Sequence, residues 1–383
     1  MPPATPSTAR AINDRLALRL LQERGPLSVT ELKELTGLAR PTVADLVQRL
    51  QDGGLIEIAG ASEVKRRGPN AKLYGLVADR AYLAALDVRE QSVHVVVADL
   101  VGAERARAEL PVARSVPAGE AVQQAVALVE RAAREAGAEQ LHSIAVGAPG
   151  LIDPATGDLR NISGLDWHRE LLAALERRLG AAVTVENETN LAAVAEHRLG
   201  AARGRDSFVF FWLGEGTGGA VFLGGRLLRG FSGGAGEIAF LPVPGSSGLP
   251  SARDCAGGFH ELVGAAGLRE LAAAHGLDAT RPVEDVLREA DPDGQFLAEY
   301  AERIAIGAAA ATAILDPGCV VLGGELGRAG GPPLAARVAD RLATLSPLRT
   351  EVRAADFGGT GVLRGALLAA REAAQEALFP PVG

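Results

Sequence analysis

The chain has 383 residues, 48% of them hydrophobic and only 4% aromatic, with 22% charged and a net charge of −8. That length provides two or three domains with ample core, no apolar run is long enough to span a membrane, and two cysteines, Cys255 and Cys319, exclude a disulfide framework. The first residues, MPPATPSTARAIND, show no charged start followed by an apolar segment, so a cytoplasmic protein is expected. Charge is unevenly spread: residues 1–80 hold 12 Lys/Arg against 9 Asp/Glu, leaving −11 on the other 303. A basic first part on an acidic body suggests that only the first part meets a polyanion.

Residues 10–24 place Ile12, Leu16, Leu20 and Leu21 at helical spacing, with arginines elsewhere and Gly25-Pro26 as the stop. Ser28 and Glu31 form a capping box for a second helix, Val29 to Thr36, which Gly37 ends. Pro41 opens a third helix running to Gln51, with Val43, Leu46, Val47 and Leu50 on one side. Two short helices joined by Gly37-Leu38-Ala39 are the helix-turn-helix pattern. Arg40, Thr42, Gln48 and Arg49 are the candidate contacts to operator DNA. A strand at 55–58 and a return strand at 73–76 enclose a loop with Lys65, Arg66, Arg67 and Lys72. Three helices and a basic hairpin make a winged helix, the hairpin meeting phosphates or a minor groove. A small helical protein-interaction module with a solvated basic loop is the alternative.

From Tyr82 the pattern becomes strand, turn, strand, turn, strand, followed by helices at 117–137 and 171–179 and buried strands at 143–146 and 183–185. Asn187-Glu188-Thr189-Asn190 stands at a strand end and caps the helix Leu191 to Leu199. Polar groups at the carboxyl ends of strands face the ligand crevice of an α/β sheet. The stretch from Phe208 to Glu237 then repeats the opening hairpins: an apolar strand, the turn Gly214–Gly219, a second strand, a Gly224-Gly225 turn, and a glycine loop ending in Glu237. Helices are expected at 259–274, 282–289, 296–315, 334–345 and 362–377, with a buried strand at 319–322. Two successive units of this kind imply a duplicated, two-lobed α/β fold.

The segments VGAPGLIDPATG, VENETNLAAVAE, GEGTGGAVFLGGRLLRGFSGGAGEI, LDPGCVVLGGEL and GTGVLRGALLAA stand in an order that resembles the ROK family, which joins sugar-responsive repressors to sugar kinases. The winged helix followed by RRGPNAKLYGL is similar to the repressor branch. The resemblance implies an α/β chain with a winged helix-turn-helix domain at 1–78, then a two-lobed actin- and hexokinase-like (ribonuclease H-like) domain. Its first lobe is expected at 79–195, with part of the C-terminal helix at 360–383, and its second at 196–383.

Three departures from the family pattern shape the functional expectation. Family kinases carry Asp-x-Gly-Gly-Thr where this chain has Asp87-Val88-Arg89-Glu90-Gln91, which adds bulk and a negative charge where ATP phosphates would lie. The family's zinc-binding His and Cys segment has become Phe240 and Ala252 to Phe259 with only Cys255, too few ligands for a tetrahedral site. The family's Asn-Asp pair reads Asn187-Glu188, a carboxylate on a longer arm. Glu237 and Glu261 match further family carboxylates and Asn161 falls near a family Asn, so Asn161, Asn187, Glu188, Glu237 and Glu261 are the candidate ligand residues. Each Glu could instead cap a helix or meet an arginine. The expectation is a repressor that binds operator DNA and a sugar-like effector, works as a homodimer or homotetramer, and holds no catalytic residues, ATP, zinc or membrane contact. The alternative is an active ATP-dependent sugar kinase with an appended DNA-binding domain.

Overall fold

The computed structural model describes residues 6–61, 71–160, 167–251, 253 and 256–379. The chain opens with α1 (Pro6–Arg24), β1 (Leu27–Ser28), α2 (Val29–Thr36), α3 (Arg40–Asp52), β2 (Ile56–Ala61) and β3 (Lys72–Leu76). Ser28 starts α2 as the capping box foretells: its Oγ accepts from the Glu31 amide, and its own N–H donates to Glu31 Oε2 at 2.8 Å. Gly37 ends α2 at φ 69°, where a side chain would be strained. The three strands pair in the order β1-β3-β2, so three helices and a small sheet make a winged helix.

Next come β4 (Tyr82–Val88), β5 (Ser92–Asp99), β6 (Glu104–Pro111), α4 (Ala118–Glu135), β7 (Leu141–Ala148), β8 (Leu151–Ile152), β9 (Leu159–Arg160), α5 (Trp167–Leu179), β10 (Ala182–Asn187) and α6 (Glu188–Leu199). The second half holds β11 (Phe208–Leu213), β12 (Thr217–Leu223), β13 (Arg226–Leu228), α7 (Gly258–Val263), α8 (Ala265–Ala274), α9 (Val283–Arg288), α10 (Gln295–Leu315), β14 (Cys319–Gly323), α11 (Gly324–Leu345), β15 (Glu351–Ala354) and α12 (Gly361–Leu378). The two five-stranded sheets run β10-β7-β4-β5-β6 and β15-β14-β11-β12-β13, the same order twice over. In the second, β11 pairs antiparallel with β12 from Phe208↔Phe222 to Leu213↔Thr217 and parallel with β14 from Val209↔Val320. An inner strand flanked on both sides is covered by packing on both faces, and β11 is accordingly apolar throughout.

The departures from expectation include two helices and one strand. The helix expected over 259–274 is broken at Gly264, whose extended backbone (ψ 168°) separates α7 from α8. The helix expected from Leu334 is present and is preceded within α11 by another that starts at Gly324, the two separated at Gly331 (φ 55°, ψ −153°), ahead of Pro332 and Pro333, which cannot donate to a helical turn. The short edge strand β15 carries no alternating pattern that would have marked it.

The chain folds as two compact units. One comprises Met1–Val146, Asp166–Thr184 and Ala366–Gly383; the other Gly147–Leu165 and Val185–Gly365. The core of the second gathers Phe211, Phe259, Tyr300, Ile304, Val320 and Leu334. In the first, the winged helix has its own core of Leu18, Leu21, Leu32, Val43, Leu46, Val47 and Leu50, which also takes in Phe379 from the other end of the chain.

Candidate functional site

In the winged helix, the apolar stripe of α3 is buried and its opposite face is open: Arg40, Thr42, Ala44, Asp45 and Gln48 are exposed. Arg49 stands apart from them. Its guanidinium is held by Asp14 Oδ1 at 2.6 Å and by Asp45, and these carboxylates raise its pKa further. Gln48 Nε2 donates to Asp52 Oδ1 at 2.8 Å. Lys72 is exposed at the start of β3; Lys65, Arg66 and Arg67 lie outside the described residues. The face open to a partner is therefore polar, with Arg40 and Thr42 at the helix N-terminus, the end that carries partial positive charge.

In the second unit, α6 starts at a built junction. Asn187 Oδ1 accepts from the amides of Thr189 and Asn190, capping the helix. Asn187 Nδ2 donates to Gly150 O and to Glu188 Oε2, both at 3.0 Å. Glu186, one residue earlier, accepts from Asn190 Nδ2 at 3.0 Å and pairs with Arg229 at 2.7 Å. Glu186, Asn190 and Arg229 thus join the expected pair. Glu186 and Asn190 lie inside the VENETN motif and Arg229 inside the GGRLLRG segment, so all three stood in stretches that carried the resemblance without being singled out.

Gly219 and Gly236 bring the glycine loop onto β12: a Cβ on Gly219 would lie 2.6 Å from Gly236 O, and one on Gly218 would lie 2.7 Å from Thr189 Oγ1. These glycines serve close approach of the chain to itself, β12 lying against Thr189 of α6 and against the loop that ends in Glu237. Glu237 keeps contact with solvent but sits in crowded surroundings whose desolvation pushes its carboxyl above the ordinary range. Glu261 is employed differently. It accepts from Ser247 Oγ at 2.6 Å and Ser247 N at 2.7 Å, which lowers its pKa and pins the 242–251 loop. His260 Nδ1 lies 3.2 Å from Thr217 Oγ1, and burial lowers its pKa. Asn161 lies outside the described residues, as does Cys255. Among the described residues no group of three or more His, Cys, Asp or Glu could hold a metal ion, and Phe240 contributes no ligand atom where the family has its histidine.

In the first unit, the β4–β5 turn shows what replaced the expected phosphate loop. Asp87 is 2% exposed, and Arg89 Nε donates to its Oδ2 at 2.8 Å. Burial pushes the Asp87 carboxyl up and Arg89 pulls it back only in part. Glu90, next in the turn, is paired with Arg114 at 2.7 Å. The turn is closed by its own side chains.

The ROK family model matches residues 83–373, the whole body behind the winged helix. The chain belongs to the ROK family. A MarR family model matches residues 12–68, over the head of this ROK chain. Among curated proteins, it is 39% identical over 163 residues to the bifunctional enzyme NanE/NanK of Brucella melitensis, covering 41% of this chain and 30% of that protein. It is 26% identical over 247 residues to the DNA-binding transcriptional dual regulator NagC of Escherichia coli K12, covering 61% of this chain and 58% of that one. The chain spans less than two thirds of either relative. A crystal structure described as a ROK family transcriptional regulator, homolog of E. coli MLC protein, superposes with a TM-score of 0.76 over 97% of this chain and 98% of its own, at 19% identity. The likeness in fold to that structure therefore takes in the winged helix as well as the body.

Proposed function

We propose that this ROK chain is a DNA-binding transcription regulator, a repressor, whose kinase-like body senses a sugar-like ligand and transfers no phosphate. The observation that carries the reading is the Arg89–Asp87 pair. A phosphoryl-transfer site must leave room for a triphosphate and neutralise it, whereas here the one cation of the turn is spent on the buried Asp87 and Glu90 stands beside it. The head supplies the other half: a capped helix pair with Arg40, Thr42 and Gln48 exposed on the third helix suits major-groove contact. Two heads on a symmetric oligomer, a dimer or tetramer, would read an operator of two related half-sites.

The ligand is a neutral polyol of sugar type. Paired carboxylate and amide groups at Asn187, Glu188 and Glu237 accept from and donate to adjacent hydroxyls. No helix among the described residues is long and apolar enough to cross a membrane, and operator DNA places the working protein in the cytoplasm. A second reading, a working sugar kinase with a DNA head, is favoured by the carboxylate of Glu188 at the family's general-base position and by the NanE/NanK likeness. One set of measurements separates them. Under the regulator reading, the protein selects a two-part duplex from a random pool, sugars raise its melting temperature or release that duplex, and calorimetry shows no ATP heat. Turnover of ATP with any sugar in the panel would sink it in favour of the kinase.

A further inference from the structure

Phe231 is fully exposed, whereas every other one of the ten phenylalanines is buried or half-buried. A ring left in water forgoes the burial that stabilises the rest. The loop that carries it, residues 229–236 of the second unit, is nonetheless firmly seated. Ala235 N donates to Arg229 O at 3.1 Å, closing the loop at its neck. Arg229 lies 2.7 Å from Glu186 Oε2, and Glu186 Oε1 accepts from Asn187 N and Asn190 Nδ2, both at 3.0 Å. On its other side, a Cβ on Gly233 would lie 2.0 Å from Ile152 O. One on Gly234 would lie 3.4 Å from Leu151 Cδ2 and 3.5 Å from Glu237 Cγ. β8, which supplies Leu151 and Ile152, follows directly on Gly150, whose carbonyl takes Asn187 Nδ2 at 3.0 Å. The loop is thus tied to the residues around Asn187 and to Glu237. Phe231 stands two positions from Arg229 and two from Gly233, within roughly 7 Å of chain from each anchor.

A sugar ring has two kinds of surface. Its rim of hydroxyls is met by carboxylates and amides, which Asn187, Glu188 and Glu237 supply. Its faces carry C–H groups, which need aromatic or aliphatic cover if the ring is to leave water. None of those three residues gives such cover. We infer that Phe231 gives it: its phenyl ring stacks on the C–H face of a bound pyranose and selects closed rings over open-chain polyols. An alditol offers the same kind of hydroxyls but no flat face to cover. The seated loop fixes how far the phenyl ring reaches, and its full exposure leaves it available to the ligand. This inference deepens the sugar-sensing function proposed above and rests on it.

Titration calorimetry on the full chain tests it with D-glucose, D-mannose and N-acetyl-D-glucosamine, each beside its alditol. Wild type should bind a pyranose of this panel more tightly than the matching alditol. Phe231→Ala should weaken the pyranose about tenfold, the scale of one lost aromatic contact, and leave the alditol unchanged. Because the side chain is fully exposed, the melting temperature without ligand should equal that of wild type. Phe231→Trp should keep the pyranose preference and show an emission change on sugar addition larger than that of wild type. Equal pyranose affinity in wild type and Phe231→Ala would overturn the stacking and leave sugar sensing standing. Equal losses for pyranose and alditol would overturn it too, since the residue would then serve the loop rather than the ligand's face. Wild type binding no member of the panel would instead sink the sugar-sensing function, and this inference with it.

Discussion

Arg49 of α3 reaches Asp14 of α1 at 2.6 Å, 35 positions earlier in the chain, and the same guanidinium takes Asp45 one turn back. An arginine spent on two carboxylates is positioned for holding α3 against α1, while Arg40 at the other end of the helix is exposed. Arg49→Ala is therefore expected to cost the fold about 1 kcal/mol, the usual size for a partly exposed pair. Arg40→Ala should leave the denaturation midpoint unchanged and weaken binding to the selected duplex by about 1–3 kcal/mol. Urea melts and fluorescence anisotropy on both variants check this; equal affinity losses at unaltered stability would assign both arginines to DNA.

The buried Asp87 depends on Arg89. Arg89→Ala removes the bonded partner of a carboxyl that is only 2% exposed. A loss of about 3 kcal/mol at neutral pH is expected, the scale for breaking one side of a buried pair. The folded pKa of Asp87 is already raised, and the variant raises it further. A raised folded pKa gives stability that is present at low pH and lost as pH climbs through it. The deficit should thus shrink on acidification. Urea midpoints at pH 5 and 8 decide it, and a deficit that grows in acid would contradict the burial of this group.

How much of this was legible in the sequence depended on range. The Ser28–Glu31 capping box, the Gly37 stop and the Pro41 opening are decided within four residues, and α2 and α3 came out within a residue of expectation. The opening hairpins of the two sheets were equally readable because both are strongly patterned, whereas the edge strand β15 was not. What could not be read was set by distant partners. Phe379 looks like an ordinary last residue of an amphipathic helix until the core of the winged helix closes around it. Glu261 matches a family carboxylate by position, yet its oxygens are turned to Ser247, fourteen residues earlier. Arg89 reads as added bulk in a turn; its bond to Asp87 follows from strand pairing and cannot be told from spacing alone.

Glu196 shows how much one buried acceptor can hold. Its two oxygens take the amides of Ala201, Asp356 and Phe357, the longest link spanning 161 positions. Glu196→Ala would leave three amide donors without this acceptor, two of them just ahead of α12. The expected cost is about 3 kcal/mol, given roughly 1–3 kcal/mol for each buried donor left unmet and water reaching some of them. Calorimetric melting measures it. Exchange mapping should show the loss concentrated at 355–360 and 200–202, and a uniform loss over the whole unit would mean that Glu196 acts on folding rather than on this junction.

His168 predicts an acid limit. It is 1% exposed beneath Trp167, whose ring centroid lies 4.4 Å away, and burial pushes its pKa down to about 4. In the unfolded chain the same imidazole titrates at about 6.5. Between those values the unfolded chain binds a proton that the folded one refuses, so stability is full above pH 6.5 and declines as pH falls toward 4. The group alone accounts for about 2 kcal/mol of loss between pH 7 and 5, and about 3 kcal/mol in total. His168→Leu keeps an apolar filler at the position and removes the titration. Its stability should therefore fall less than that of wild type over the same range, by that same about 2 kcal/mol. Urea unfolding at matched ionic strength gives both curves, and parallel curves for the two proteins would show that His168 is protonated in the folded state as readily as in the unfolded one.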